Sequence, residues 1–227
     1  MNDLFTLIMP LIIGYLIGSI PFGLVLCKIF GYGDIRKIGS GNIGATNVLR
    51  TGNKILALAT LILDSAKGAI AVLTALFIFS KGCDFIYCLS KTCPCERFPY
   101  PVSLMAFVAG FGAIIGHCFP IWLKFKGGKG VATTLGTLLI ATPIAGVVAC
   151  LTWLFSAWLG KISSLAAITA MIVMPTPVYL FHGLEASLVA VAIALLVIIK
   201  HKDNIARLKN GTEPKIGNKN KTSKNKK

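Results

Sequence analysis

Three polar segments interrupt an otherwise apolar chain, and their residue types are those of an anion-binding site. They comprise residues 39–50, 126–130 and 201–208, and each adjoins an apolar stretch long enough to enter a membrane. Glycine lets an anion approach the backbone N–H group closely, and arginine and lysine supply full positive charge, so together they bind phosphate groups. The sequence therefore predicts a phosphorylated substrate at a membrane surface.

The first segment, residues 39–50, combines glycines with hydroxyl, amide and guanidinium side chains. Its candidate site residues are Ser40, Gly41, Asn42, Gly44, Thr46, Asn47 and Arg50. A solvated loop with capping serine and asparagine residues would contain similar residue types. In that alternative, Arg50 is only one of the positive charges that mark the cytoplasmic side.

The second segment, residues 126–130, lies directly before an apolar stretch that begins at Val131. All five of its residues are candidates: Lys126, Gly127, Gly128, Lys129 and Gly130. A helix N-terminus exposes unpaired N–H groups and a partial positive charge, so backbone, helix dipole and lysine would hold one anion together. The segment is not a Walker A loop, because Gly130 stands where that loop needs Ser or Thr. A flexible basic turn between helices is the alternative.

The third segment, residues 201–208, predicts a short helix that ends at Gly211. His201, Asn204 and Leu208 share one helix face, with Arg207 beside them. Histidine has an unperturbed pKa of about 6.5, so His201 could act as a base or a donor near neutral pH. The alternative is a basic amphipathic segment held by anionic lipid.

Two charges lie inside the second apolar stretch, where charges are costly and usually paired or functional. Asp64 and Lys67 are at i, i+3 spacing, so mutual neutralisation is the simpler expectation. His117 and Pro120 end the third apolar stretch beside the second segment. They either line the site or form an ordinary interfacial pair.

The composition excludes an ordinary soluble domain. Of 227 residues, 55% are hydrophobic and only 14% are charged, which indicates a polytopic membrane protein. Residues 200–227 contain ten Lys and Arg against Asp203 and Glu213, a net +8 of the chain's +15. We therefore expect one membrane domain, residues 1–213, followed by a basic cytoplasmic tail, residues 214–227.

The apolar stretches and the placement of Lys and Arg together predict the topology. The stretches are residues 4–30, 55–79, 102–123, 131–159, 162–181 and 184–199. Lys and Arg favour the cytoplasmic side, and only a split of residues 131–159 near Thr142 and Pro143 leaves all basic loops and the tail there. We therefore expect an all-α integral membrane protein with seven transmembrane helices, some short or re-entrant, and an N-terminus outside.

Four of the seven cysteines, Cys83, Cys88, Cys93 and Cys95, fall in the predicted outside loop. An oxidising compartment favours disulfides, which we expect ahead of free thiols or a metal site. The spacing of Cys93 and Cys95 lacks the two-residue gap common in zinc sites. The other three cysteines lie in apolar sequence and are expected simply to pack.

The three segments, in order and spacing, resemble the cytoplasmic motifs of the bacterial acyl-phosphate-dependent glycerol-3-phosphate acyltransferases. The matching residues include Gly39-Ser40-Gly41-Asn42, Gly44-Ala45-Thr46-Asn47, Arg50, Lys126-Gly127-Gly128-Lys129-Gly130, His201, Asn204, Arg207-Leu208, Gly211 and Glu213. Asp64, Lys67, His117 and Pro120 also resemble positions of that family. The resemblance covers residues 18–213.

The resemblance implies a seven-helix enzyme of the bacterial inner membrane that transfers a fatty acyl group from acyl phosphate to glycerol 3-phosphate. The products would be lysophosphatidic acid and phosphate, in the first acylation step of phospholipid biosynthesis. Ser40, Arg50, Lys129, His201 and Asn204 would be its catalytic residues, and Glu213 a structural one.

The resemblance also implies that the partners are the two substrates and membrane lipid, without nucleic acid, cofactor or metal. The rival from another class is a membrane transporter or binding protein for an organic phosphate. Such a protein would use the same basic glycine segments and the charges of Asp64 and Lys67. The absence of a recognisable internal repeat argues against it.

Overall fold

The computed structural model describes residues 3–80 and 100–216, and all regular structure within them is helical. The α-helices are α1 (Asp3–Gly18), α2 (Phe22–Ile29), α3 (Ala45–Val48), α4 (Lys54–Phe79), α5 (Val102–Cys118), α6 (Val131–Ala141), α7 (Pro143–Gly160), α8 (Ser163–Val173), α9 (Pro175–Lys200) and α10 (Lys202–Lys209). The predicted all-α membrane fold is therefore confirmed.

Helix α5 lies at the centre of the fold. In its apolar 18-residue stretch, 72% of the residues are buried inside the protein. The corresponding share is 17–39% in the other four candidate membrane spans of the described residues. Helix α5 packs closely on α1 through glycines spaced four apart on both helices. A Cβ atom added at Gly14 or Gly18 would overlap the α5 backbone, and one added at Gly112 or Gly116 would overlap the α1 backbone. Such small residues let membrane helices approach closely without a hydrophobic driving force.

The first apolar stretch, residues 4–30, is not one continuous helix. It breaks after Gly18, and α2 begins at Phe22 after Pro21. Proline lacks the N–H group that would continue the helical hydrogen bonds. At the break, the carbonyl of Ile20 accepts hydrogen bonds from the backbone N–H of Phe22 at 3.1 Å and from the Lys67 ammonium at 3.0 Å.

The predicted division of residues 131–159 is confirmed, since α6 ends at Ala141 and α7 begins at Pro143. The two helices fold back on each other, because a Cβ atom at Gly146 would lie 2.6 Å from the backbone nitrogen of Leu139. Helix α6 has 11 residues, so it rises about 16 Å, roughly half of the hydrocarbon thickness. Helix α6 is thus one of the short helices predicted from the placement of Lys and Arg.

A second reversal occurs at Gly183, inside the range of α9. Gly183 has φ 78° and ψ −171°, which interrupts the helix. The hydroxyl of Ser187 donates to the carbonyl of Pro175 at 3.2 Å, although twelve residues of straight helix would separate them by about 18 Å. The described residues contain five helical segments long and apolar enough to cross a membrane, and the count of seven stays a prediction.

The loops rich in Lys and Arg lie together at one end of the helices. The backbone N–H of Ile216 donates to the carbonyl of Lys161 at 2.6 Å, which brings the beginning of the tail to the loop after α7. At the same end, the Tyr15 hydroxyl donates to the carbonyl of Phe119 at 2.9 Å. These loops therefore share one end of the fold, and its assignment to the cytoplasmic side stays a prediction. The four outside-loop cysteines lie outside the described residues, so their pairing stays a prediction.

Site-specific labelling tests this orientation. In a variant whose only cysteine is Lys224→Cys, a membrane-impermeant maleimide should react only after the cells are permeabilised, because a lysine-rich tail favours the cytoplasmic side. A variant that retains Cys88 alone should react in intact cells. Labelling of Lys224→Cys in intact cells would contradict the predicted side of the tail.

Candidate active site

Glu213 is the centre of a hydrogen-bond network at the basic end of the helices. Its Oε1 accepts from the hydroxyl of Ser164 at 2.6 Å and from Asn204 Nδ2 at 2.5 Å, and its Oε2 accepts from Arg207 Nε at 2.7 Å. Burial raises the pKa of Glu213, but these three hydrogen bonds outweigh it and hold the pKa below its usual range. Glu213 is therefore a carboxylate that fixes α10 against α8, which supports its predicted structural role.

Asn204 joins the second and third segments. It is 6% exposed, and its side-chain oxygen accepts a hydrogen bond from the ammonium of Lys129 while its NH₂ group donates to Glu213. Burial lowers the pKa of Lys129, the carboxylate of Glu213 opposes this, and Arg207 and Arg50 contribute smaller decreases. The charge of Arg50 is thus within electrostatic range of Lys129, while the second and third segments are in direct contact.

His201 lies at the junction of α9 and α10 and is 3% exposed. Its Nδ1 is 2.7 Å from the carbonyl of Val197, a geometry in which Nδ1–H donates and Nε2 carries the lone pair. Burial lowers the pKa of His201 to about 4, although the hydrogen bond to Val197 opposes this. His201 is therefore neutral near pH 7, with an acceptor nitrogen.

Asn47 holds the first segment together. It is 2% exposed, and its NH₂ group lies within 3.0 Å of the carbonyls of Ile35, Ile38 and Asn42. Its side-chain oxygen accepts from the backbone N–H of Ser40 at 3.2 Å. The polar atoms of Asn47 are thus occupied within the loop. The structure favours a loop-shaping use of this residue over the substrate contact predicted from sequence.

Arg50 lies across Gly39 in the same loop. Gly39 has φ 57°, and a Cβ atom there would overlap the guanidinium of Arg50 and approach its Cδ to 2.6 Å. Glycine is required at this position on both grounds. The remaining candidates of the first two segments differ in exposure. The exposed ones are Ser40, Gly41, Thr46 and Lys126, and the half-buried ones are Asn42 and Gly44.

Three glycines of the predicted anion cradle use their backbone N–H groups within the protein, and the cradle itself stays a prediction. Gly41 N–H donates to the carbonyl of Ile38 at 3.1 Å. Gly127 N–H donates to the carbonyl of Cys118 at 3.2 Å, and Gly128 N–H donates to that of His117 at 2.9 Å. These donors face the protein, so they are not free for a phosphate. Gly130, with φ 85°, begins α6 and packs tightly, since its added Cβ would lie 2.9 Å from Ile114.

Two further residues of this region, Ser164 and Lys200, were not predicted from the sequence. Ser164 bonds Glu213 across 49 residues, and the only sequence signal is a serine pair at the start of an apolar stretch. Lys200 donates to the carbonyl of Cys118 at 3.1 Å, with its ammonium 4.5 Å from the centre of the Phe119 ring. Residues 3–80 and 100–216 contain no group of three His, Cys, Asp or Glu side chains that could hold a metal ion.

Comparisons with known proteins agree with this arrangement. The family model described as "Glycerol-3-phosphate acyltransferase" matches residues 8–211. The chain belongs to this family. A glycerol-3-phosphate acyltransferase of Paramagnetospirillum magneticum is 51% identical over 209 residues, covering 92% of this chain and 93% of that protein. One from Brucella anthropi is 53% identical over 214 residues, covering 93% and 94%.

Two solved structures of a family member are also similar. One is a crystal structure of PlsY, an integral membrane glycerol 3-phosphate acyltransferase, in its glycerol 3-phosphate form. It is 33% identical, has a TM-score of 0.78, and the match covers 93% of this chain and 96% of that one. The other is the lysophosphatidic acid form, with 32% identity, a TM-score of 0.76 and coverage of 93% and 95%. The chain is thus an integral membrane acyltransferase of lipid biosynthesis.

The burial of His201 predicts a pH-dependent stability. Its pKa is about 4 when folded and 6.5 when unfolded, so the unfolded state binds more protons between these values. The contribution of neutral His201 to the free energy of unfolding is fully present above pH 6.5. It decreases as the pH falls toward 4, by up to about 1.4 kcal/mol for each pH unit. In detergent, the melting temperature should fall between pH 7 and pH 5 more steeply for the natural protein than for His201→Gln. Parallel curves would contradict the lowered pKa.

Proposed function

We propose that this chain transfers a fatty acyl group from acyl phosphate to glycerol 3-phosphate, forming lysophosphatidic acid and inorganic phosphate. The observation that carries the proposal is the hydrogen bond between Lys129 and Asn204 at one end of membrane-length helices. His201 lies one helical turn before Asn204, and Arg50 is within electrostatic range of Lys129. One reactant has an apolar chain and both have a phosphate, so a cationic site beside apolar helices suits each. The glycerol 3-phosphate and lysophosphatidic acid forms of the similar structure support the acceptor and the product.

In this proposal Arg50 and Lys129 neutralise the two phosphates. An ammonium has three N–H donors, so Lys129 can donate two to phosphate oxygens while it keeps its hydrogen bond to Asn204. Ser40, Asn42, Gly44, Thr46, Lys126 and Gly130 would contact substrate around these two cations. Gly41, Asn47, Gly127 and Gly128 would instead hold the loops in shape, and His201 would offer its Nε2 to a substrate hydroxyl.

Direct transfer is the simplest mechanism for such a site. The glycerol hydroxyl oxygen would bond to the acyl carbon, the bond from that carbon to the phosphate oxygen would break, and phosphate would leave. An acyl phosphate is already activated, so orientation and charge neutralisation are the main requirements. Among the described residues, the Ser40 hydroxyl contacts the Asn47 oxygen at 3.4 Å and no histidine, lysine or carboxylate that would activate it as a nucleophile.

The proposal includes a location and a division of the chain. Residues 1–213 would form the membrane domain and residues 214–227 a basic tail in the cytoplasm. The N-terminus would lie outside a bacterial inner membrane, and the site would open to the cytoplasm, where the polar acceptor is dissolved. The shared end of the basic loops supports this orientation.

The reaction can be tested with purified protein in detergent. Phosphate and lysophosphatidic acid should form in equal amounts from acyl phosphate and glycerol 3-phosphate, and not from acyl-CoA of the same chain length. Acyl phosphate alone should leave the protein unmodified by mass spectrometry. Turnover of acyl-CoA would contradict the proposed donor, a kinetically competent acyl adduct on Ser40 would contradict direct transfer, and substrate binding without turnover would favour a transporter.

The roles of the two cations predict the effect of removing them. Arg50→Ala and Lys129→Ala should each lower kcat/KM by about tenfold to a hundredfold, since a hydrogen bond to a charged group contributes about 1.5–3 kcal/mol. Lys202→Ala removes an exposed lysine close to His201 and serves as the control. Near-natural kinetics of a folded Arg50→Ala or Lys129→Ala variant would remove that residue from the site.

A further inference from the structure

A buried polar cluster between α4 and α5 has more contacts than charge neutralisation requires. Asp64 and Lys67 are each 2% exposed, and His117 is 5% exposed. The Lys67 ammonium lies 2.9 Å from Asp64 Oδ1, 3.0 Å from the carbonyl of Ile20 and 2.7 Å from His117 Nδ1. The ammonium therefore forms hydrogen bonds with Ile20 and His117 and an ion pair with Asp64. The predicted pairing of Asp64 with Lys67 is confirmed, and two further contacts accompany it.

The contact with Lys67 determines the tautomer of His117. An ammonium only donates, so Nδ1 of His117 must accept, and the proton of the neutral ring is on Nε2. Nε2 faces the second segment, because a Cβ atom added at Gly128 would overlap it. Lys67 thus orients the ring that lies directly beneath Gly128.

The backbone of His117 holds the same glycine from a second direction. Gly128 N–H donates to the carbonyl of His117 at 2.9 Å, and Gly127 N–H donates to the carbonyl of Cys118 at 3.2 Å. The last carbonyls of a helix have no partner within it, and here they bind the loop. Gly128 is therefore fixed by both the ring and the backbone of His117, one residue before Lys129.

We propose that Lys67 is a positioning residue for Lys129, acting through His117 and Gly128. The inference rests on the role of Lys129 in the proposed function. If Lys67 served only to neutralise Asp64, its contacts with His117 and Ile20 would have no consequence for activity. In the positioning role, Lys67 sets the ring of His117, the ring sets Gly128, and Gly128 sets the direction from which the Lys129 ammonium meets phosphate.

A double-mutant cycle tests the proposal. Lys67→Met should lower kcat/KM about tenfold in the natural background and less than about twofold in a Lys129→Ala background, because its effect passes through Lys129. The loss should fall in the same parameter, KM or kcat, as the loss in Lys129→Ala. Lys54→Met, at an exposed position of the same helix, should have no effect in either background.

A second variant reaches the contact from the loop side and leaves the buried ion pair in place. Gly128→Ala should show the same loss and the same dependence on Lys129, since its Cβ overlaps His117 Nε2. Gly160→Ala, whose Cβ would lie 3.5 Å from Leu165, is the matched control. If Lys67→Met fails to fold, Gly128→Ala decides the test alone.

The outcomes separate this inference from the proposed function. Full activity of a folded Lys67→Met or Gly128→Ala protein, or an equal loss in both backgrounds, would overturn the positioning role while leaving the reaction intact. Full activity of Lys129→Ala would instead remove Lys129 from the site, and the positioning role would fall with it.

Discussion

The hydrogen bond from Lys129 to Asn204 is the interaction on which the arrangement of the site depends. It joins the loop before α6 to the helix after α9, 75 residues apart. The side-chain oxygen of Asn204 points to Lys129 because its NH₂ group donates to Glu213. The carboxylate of Glu213 also accepts hydrogen bonds from Ser164 and Arg207. The partly buried ammonium is therefore stabilised before any phosphate arrives. In the proposed reaction, a phosphate would meet a cation already in place, which lowers the cost of ordering the ammonium.

Glycine allows close packing in this chain, both between helices and in the second segment. In Gly14, Gly18, Gly112 and Gly116 the missing Cβ lets α1 and α5 touch. Gly127 and Gly128 follow the same principle, since their N–H groups bind the end of α5 and their Cα atoms lie against it. The glycines of this segment therefore hold the loop that carries Lys129, and in the proposed function the lysine side chain binds the anion.

The features predicted from sequence were those set by local spacing or by charge. The reversal at Thr142 followed from the placement of Lys and Arg, and the pairing of Asp64 with Lys67 followed from helical periodicity. Contacts between distant segments were not predictable: no local pattern indicates that Lys67 meets His117, 50 residues away, or that Ser164 meets Glu213. The partners of Gly127 and Gly128 were unpredictable for the same reason, because the acceptors of their N–H groups come from the end of α5.

The environment of His201 bears on where the proton goes in the proposed reaction. With a pKa of about 4, its Nε2 is a weak base, although the hydrogen bond from Nδ1–H to Val197 aims the lone pair. A phosphate monoester has a second pKa of about 6, and inorganic phosphate is more basic than that. The leaving phosphate is thus the stronger base by at least about two pKa units, which favours it as the final proton acceptor. His201 then serves best by accepting a hydrogen bond from the attacking hydroxyl and fixing its direction, so that the oxygen lone pair points at the acyl carbon.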